Sequence, residues 1–429
     1  MKSKLFTPIL AIICLIGFTS CAEEIATPNV DTTNVQELWD VYQITLSEDS
    51  TVDQTASIQK QLDAIPDGTP TKPNIIRFPD GRFWTEGDLE NNSQGRNGII
   101  NLTNRHNLII EGGTFYTKAP ATAYGGNVDK GDYSRRRHFW LIECTNITLR
   151  KIRVEGSNTI DGRVIGTTPT LTPSFWQGGE DNGALHGSPA YRSYWELEHA
   201  FDIRGCKNIT LEDCFVFGVW GDGVYVGGTT SPSENIVLRN LHLRFTGRQG
   251  IGVANSVDGL LIDKVWVDKG RRASIDLEPH NHQGFVRNVK IQNCRLEAVM
   301  VAIAAAGRGD VSNIYIHNNT YTTTSPFLVC HDSSEKVTRE NWTVKNNTRI
   351  GAFGSPVASI RFKKTNNIVL EGNTDAIKLT QSRTTVQLID CKEANILENN
   401  FGHGYKIISK ASTGLTVKEN VPEQVIVEL

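Results

Sequence analysis

The 429-residue chain has almost no excess charge of either sign. Its 44 Lys and Arg stand against 47 Asp and Glu, giving a formal net charge of −3 and an isoelectric point near 6.4. That excludes the basic footprint of a nucleic-acid-binding domain and leaves substrates of any charge open. It also lacks a membrane-length apolar run. Leu5 to Phe18, preceded by Lys2 and Lys4, is too short for a spanning helix and has the form of an export signal. Helical periodicity is scarce, and 38% apolar residues with 38 glycines suit short strands joined by turns, not a helical bundle. Disulfides suit the exported compartment, but the cysteines are poorly placed for them. Cys144 and Cys206 sit two residues before a repeated Asn, and Cys214, Cys294 and Cys391 fall on or beside apolar strand positions. They are expected as small apolar side chains stacked in a core.

What is present is a repeated phrase: a turn residue, usually Asn, then an apolar–polar–apolar run. It begins at Asn107, Asn146, Asn208, Asn235, Gly259, Asn288, Asn313, Asn341, Asn367, Asn395 and Gly414. From Asn208 to Asn395 the steps are 27, 24, 29, 25, 28, 26 and 28 residues. A loose period of this length, built of short strands, predicts a solenoid. Residues at equal offsets then stack about 4.8 Å apart, the inter-strand spacing.

The segment Phe18-Thr19-Ser20-Cys21, followed by Ala22-Glu23-Glu24, resembles a bacterial lipoprotein signal. The resemblance implies a signal peptide over 1–21, lipidation of Cys21, and anchoring in the bacterial outer membrane or periplasm, with membrane contact through the lipid only. An ordinary secretory signal is the alternative, and both export the chain. Residues 22–35 have the composition of a solvated tether.

Residues 36–85 are expected as a small α/β cap. Ile58, Leu62 and Ile65 have helical spacing with Thr55 as N-cap, and Asn74-Ile-Ile-Arg-Phe-Pro-Asp-Gly-Arg-Phe follows as strand, turn, strand. A helix of this type, then a strand ending in F-P-x-G, then N-x-I rungs resembles the right-handed parallel β-helix (pectin-lyase-like) superfamily. The resemblance covers residues 36–429. It implies an all-β, single-stranded right-handed parallel β-helix with that N-terminal cap. The rungs break between 157 and 197, an insertion rich in Gly and Pro that carries Trp176 and Trp195. Loop aromatics of this kind either stack on sugars or pin the loop.

Aligning the rungs by an apolar pair around one outward residue gives Phe201-Asp202-Ile203, Val224-Tyr225-Val226, Ile251-Gly252-Val253 and Ile275-Asp276-Leu277. Alternation points Asp202, Tyr225, Gly252 and Asp276 outward. Two residues before the pairs come His199, Asp222, Gln249 and Ala273, and one earlier Glu198, Gly221, Arg248 and Arg272. After them come Arg204, Gly227, Ala254 and Glu278, with His280 just beyond. The next rung, Val301-Ala-Ile-Ala-Ala-Ala-Gly, is nearly all small, so the polar cluster is expected beside a groove floor. Trp220-Gly-Asp-Gly suggests space opened by glycines around Asp222.

Glycoside hydrolysis needs an acid and a base or nucleophile, held about 5–5.5 Å apart for retention and about 6.5–9.5 Å for inversion. Asp276 and Glu278 are two apart on one strand, about 6.5–7 Å, and Asp222 lies two rungs from Asp276, about 10 Å. Asp222, Asp276 and Glu278 are the expected catalytic set. Glu198, His199, Asp202, Tyr225, Arg248, Gln249, Arg272, His280, Trp176 and Trp195 are the expected substrate contacts.

His199-Ala-Phe-Asp-Ile-Arg through Gly221-Asp-Gly-Val-Tyr-Val is distantly similar to polygalacturonase-type hydrolases, which carry N-T-D, D-D, G-H-G and R-I-K on successive rungs. The second Asp of D-D falls on Asp222. Gly221 stands where the first would be, His199 at the Asp of N-T-D, and Gln249 at the His of G-H-G. Asp276 and Glu278 replace the basic pair that binds a uronate there, so a galacturonate at that subsite would be repelled. Three functions stay open. The first is an inverting glycoside hydrolase acting on a polysaccharide or oligosaccharide, without cofactor. The second is a polysaccharide lyase using Arg248, Arg272 and Lys269, or Ca²⁺ held by carboxylates. The third is a non-catalytic glycan-binding solenoid. No nucleic-acid partner is expected, and the chain is expected to be a monomer.

Overall fold

The computed structural model describes residues 39–87, 98–118 and 136–156, then 198–375 apart from 271, 299, 323–325, 332–336, 338 and 351–358, then 384–429 apart from 403 and 405. The signal segment with Cys21, the tether, and the 157–197 insertion with Trp176 and Trp195 lie outside the described residues.

The repeated Asn works through its backbone. Asn107, Asn146, Asn208, Asn235, Asn288, Asn313, Asn341 and Asn367 all hold φ between 54° and 59°, and Gly259 and Gly414 take the same left-handed conformation. Asn tolerates this region better than most L-residues, and Gly enters it freely. A second left-handed residue follows five positions later in each rung, as at Asp213, Asn240, Lys264, Asn293, Asn318 and Asn346. Two such corners flank each copy of the phrase and bend the chain around the core. The final rungs shift the expected phase. Ala394 pairs with Ile368, so Glu393, at φ 57°, holds the corner and Asn395 lies in mid-strand. The apolar–polar alternation of Ala394-Asn395-Ile396 settles the register over the identity of the turn residue.

The result is a right-handed parallel β-helix, with described strands in sheets of 13, 12 and 9. In one rung, Glu198–Arg204 lies in the 12-stranded sheet, Lys207–Glu212 in the 13-stranded sheet and Phe215–Phe217 in the 9-stranded sheet. The chain then returns as Val224–Gly227, parallel to Glu198–Arg204. Inward residues form one core running along the axis. Its N-terminal part is an aromatic column, Phe78, Phe115, Phe139 and Phe201, with successive centroids 4.9, 5.2 and 5.4 Å apart.

The helix Thr55–Ala64 seals that end with Ile58 and Leu62 fully buried. Thr55 is its first helical residue and not its cap. The carboxylate of Asp53 accepts the Thr55 N–H at 2.9 Å and its hydroxyl at 2.7 Å, satisfying one of the helix's free donors. Strands Asn74–Arg77 and Arg82–Trp84 pair with His106–Glu111 and Thr114–Tyr116, so they already stack as a rung.

From Ile152 onward the position after the second corner is buried but changes chemistry along the axis. It holds Ile152, Cys214, Leu241, Val265 and Cys294, and then Asn319, Asn347, Asn373, Asn399 and Asn420. The asparagines form an internal ladder. Each Nδ2 donates to the next Oδ1 at 2.9 Å. An external ladder joins the repeated Asn, with Asn146 donating to Asn107 at 2.8 Å and Asn208 to Asn146 at 2.9 Å. Cys144, Cys206, Cys214, Cys294, Cys330 and Cys391 are buried free thiols, as small apolar core residues would be. Among the described residues no helix is long and apolar enough to cross a membrane.

Candidate functional site

The 12-stranded sheet carries the polar column in the expected register. Asp202, Tyr225, Gly252 and Asp276 are successive cross-strand partners, and Ala304 follows Asp276. Depth separates them into two groups.

Glu198, His199 and Asp202 are fully or almost fully buried and bonded within the protein. Both Asp202 oxygens accept from Arg204, at 2.7 and 3.1 Å, and one also accepts from Arg137. Burial raises the Asp202 pKa, but the charges of Arg204 and Arg137 outweigh it and hold the carboxyl below its ordinary range. Glu198 accepts the Trp220 N–H at 3.2 Å and lies 3.3 Å from His138 Nε2. His199 Nδ1 accepts the Asp222 N–H at 3.0 Å, which places the ring proton on Nε2. Burial, with Arg137, Arg204 and Arg248 overcoming Asp202, pushes the His199 pKa well down, so the ring is neutral. These three expected substrate contacts form the support beneath the site.

Asp222 is also buried. Its Oδ1 accepts the Gln249 N–H at 2.9 Å, and its Oδ2 lies 2.8 Å from Arg248 Nη1. The glycines around it do not open space as expected; they permit close approach. A Cβ at Gly221 would lie 2.6 Å from Glu198 O, and one at Gly252 would lie 2.7 Å from Asp222 Oδ2.

Asp276 and Glu278 line open volume. A cavity of about 380 Å³ runs from Gln249, Arg272, Asp276 and Glu278 across Ala304, Ala305 and Ala306 to His331 and Arg361. The small-residue floor is where the sequence puts it. A recess of about 10 Å³, room for one water, lies among Tyr225, Arg248, Gly252, Asp276, Glu278 and His280.

Gln249 binds both aspartates, since its backbone N–H serves Asp222 while its side-chain Nε2 donates to Asp276 Oδ2 at 2.7 Å. Its Oε1 accepts the Ala273 N–H at 2.8 Å, fixing the amide orientation. Asp276 Oδ1 is buried with no hydrogen-bond partner among the described residues. Burial, then the Glu278 charge, pushes the Asp276 carboxyl up to about 7 against the pull of Arg248 and Arg272. Glu278 goes the other way. Burial would raise it, but a hydrogen bond from His280 and the charges of Arg248, His280 and Arg272 bring it below the ordinary glutamate range. Arg248 Nη2 is 3.5 Å and His280 Nε2 is 3.6 Å from Glu278 Oε2.

Lys269 is not part of this cluster. It lies on the 9-stranded sheet with its ammonium 5.1 Å from the Phe245 ring centroid. Among the described residues no three His, Cys, Asp or Glu side chains converge as a metal site requires. Sequence reasoning missed His331 and Arg361. Extending the Asp276 column through Ala304 and Val329 leads directly to Arg361.

No family model and no curated protein matches this sequence. Solved structures do match in shape. The surface adhesin PfbA of Streptococcus pneumoniae aligns over 90% of this chain and 99% of its own at a TM-score of 0.54 and 11% identity. The Dettilon tailspike protein gp208 aligns over 91% and 68% at 0.53 and 12% identity. The catalytic unit of the GH87 α-1,3-glucanase from Streptomyces thermodiastaticus aligns over 87% and 67% at 0.51 and 12% identity. At these identities the likeness carries the fold and nothing finer: the chain is a right-handed parallel β-helix.

Proposed function

We propose that the chain is an exported carbohydrate-active enzyme, an inverting glycoside hydrolase in which Asp276 is the general acid and Glu278 the base. One observation carries this reading. Two carboxyl groups beside one cavity are pushed apart in pKa, Asp276 up to about 7 and Glu278 down. Near neutral pH the first keeps a proton to give to the leaving oxygen and the second is ionised. That is how environment divides acid and base roles between like groups. The recess beside both has room for a water that Glu278 would activate, and their two-residue spacing sets their backbones about 6.5–7 Å apart, compatible with the carboxyl separation of about 6.5–9.5 Å that inversion uses.

Asp222 is then a positioning residue. Through Arg248 and Gln249 it sets the places of Glu278 and Asp276. Arg272, His280 and Tyr225 border the openings and are the substrate contacts of this reading. Lipidation of Cys21 holds the enzyme at the bacterial surface or in the periplasm. The fold does not choose the function, since the similar shapes include an adhesin and a glucanase.

Incubation with a panel of polysaccharides, with products resolved by mass, tests the reaction. Fragments that have gained one water are expected. Unsaturated fragments without that mass would replace this reading with a lyase, and binding without any product would replace it with a glycan-binding solenoid.

A further inference from the structure

The groove continues past the carboxylates and becomes basic. A second cavity of about 590 Å³ shares His331 and Arg361 with the first and is lined beyond them by Lys363, Ile389, Asp390 and Lys410. Arg361 is three strand steps from Asp276, about 14 Å. Lys363, Ile389 and Lys410 are successive partners in the neighbouring column.

Some lysines elsewhere on the solenoid meet acids: Lys207 is 2.8 Å from Glu234, and Lys345 is 2.7 Å from Glu371. Here Arg361 Nε meets a neutral acceptor, Gln387 Oε1, at 2.9 Å. Among the described residues Lys363 and Lys410 have no ion-pair partner, and Asp390 is the one acid that lines this cavity. The carboxylate end thus sets Glu278 against Arg248 and Arg272, while the other end carries an excess of positive charge and attracts anions.

We propose that the groove takes a glycan of mixed charge, with a neutral sugar beside Asp276 and Glu278 and an anionic sugar, bearing carboxylate or sulfate, against Arg361, Lys363 and Lys410 about three to five rungs away. The position of the cut rests on the hydrolase reading; the charge recognition does not. A uniformly anionic polymer puts charge against Glu278 and is a poor substrate, while a neutral polymer leaves the cations unused.

Affinity electrophoresis of Asp276→Asn protein tests this in gels carrying dextran, hyaluronan, chondroitin sulfate or polygalacturonate. Hyaluronan alternates uronate with a neutral sugar, and chondroitin sulfate adds sulfate. Both are expected to retard the protein more than dextran, with binding about tenfold weaker in Lys363→Glu/Lys410→Glu and in the milder Lys363→Gln/Lys410→Gln pair. The retardation should fall with added salt. Retardation by hyaluronan assigns a carboxylate; retardation by chondroitin sulfate alone assigns a sulfate. Equal retardation of parent and variants with unchanged melting temperatures, or none in either alternating polymer, overturns the proposal, as does cleavage of polygalacturonate by the unmodified chain. Charge-dependent binding without cleavage of any polymer sinks the hydrolase reading alone. Cleavage indifferent to the lysines sinks this inference alone.

Discussion

Asp202 and Asp276 occupy the same column of the same sheet, three strand steps apart. Both are buried, and desolvation pushes both pKa values up. Asp202 ends low because Arg204 and Arg137 reach its oxygens directly. Asp276 ends high because the hydrogen bond it accepts comes from the neutral Gln249 amide and Glu278 adds a like charge. Position in a solenoid therefore fixes where a carboxylate stands, while its neighbours fix whether it is charged. One aspartate is an anchor and the other a proton donor.

The hardest blow to that contrast is Asp276→Asn. If Asp276 is the acid, turnover on the substrate found by the product screen falls by about 10²–10⁴. The parent's activity should fall as pH rises through about 7, where Asp276 loses its proton, and fall again below the ordinary glutamate range as Glu278 gains one. Undiminished turnover in the variant removes Asp276 from the mechanism.

Asp202→Asn comes next and should act on stability. It leaves Arg137 and Arg204 beside a neutral group, a loss of about 3–5 kcal/mol for a broken buried pair. The pH dependences of melting temperature then oppose each other. The folded pKa of Asp202 is lowered, so its contribution is present above the unfolded value of 3.8 and fades as pH falls below it. The folded pKa of Asp276 is raised, so the parent loses stability between about 4 and 7, and Asp276→Asn should gain on it across that window. Parallel curves for the two variants would mean that the two carboxyls are alike.

The mildest change is Gly252→Ala, between the two aspartates. Its methyl group would lie 2.7 Å from Asp222 Oδ2. Overpacking of this kind costs about 1–3 kcal/mol, and the shift should reach Arg248 and lower kcat more than it raises KM. An unchanged kcat would show that Asp222 does not position the site.

Much of this was legible because alternation and the turn phrase fix register. The column Asp202–Tyr225–Gly252–Asp276 and the alanine floor follow from counting alone. Register failed where the turn residue misled, at Asn395, since Glu can also hold a left-handed corner when the strand beyond it is well patterned. The internal Asn ladder was hidden because Asn318-Asn319 and Asn346-Asn347 have loop composition. A buried amide is acceptable only when it is bonded, and the next rung supplies that bond. Burial itself was not legible. The sequence placed Glu198, His199 and Asp202 outward, but Arg137 binds Asp202, His138 lies against Glu198, and the Asp222 N–H binds His199.

The two Asn ladders also have an electrical consequence. On the outside each amide donates back toward the N-terminal rung, as Asn341 does to Asn313 and Asn367 to Asn341. Inside, each donates forward, as Asn319 does to Asn347 and Asn347 to Asn373. Over the rungs that hold both, two head-to-tail chains of dipoles run in opposite directions and largely cancel. Sheets add little dipole of their own. Unlike an α-helix, this solenoid offers a ligand no charged end, so the field along its groove is written by side chains alone.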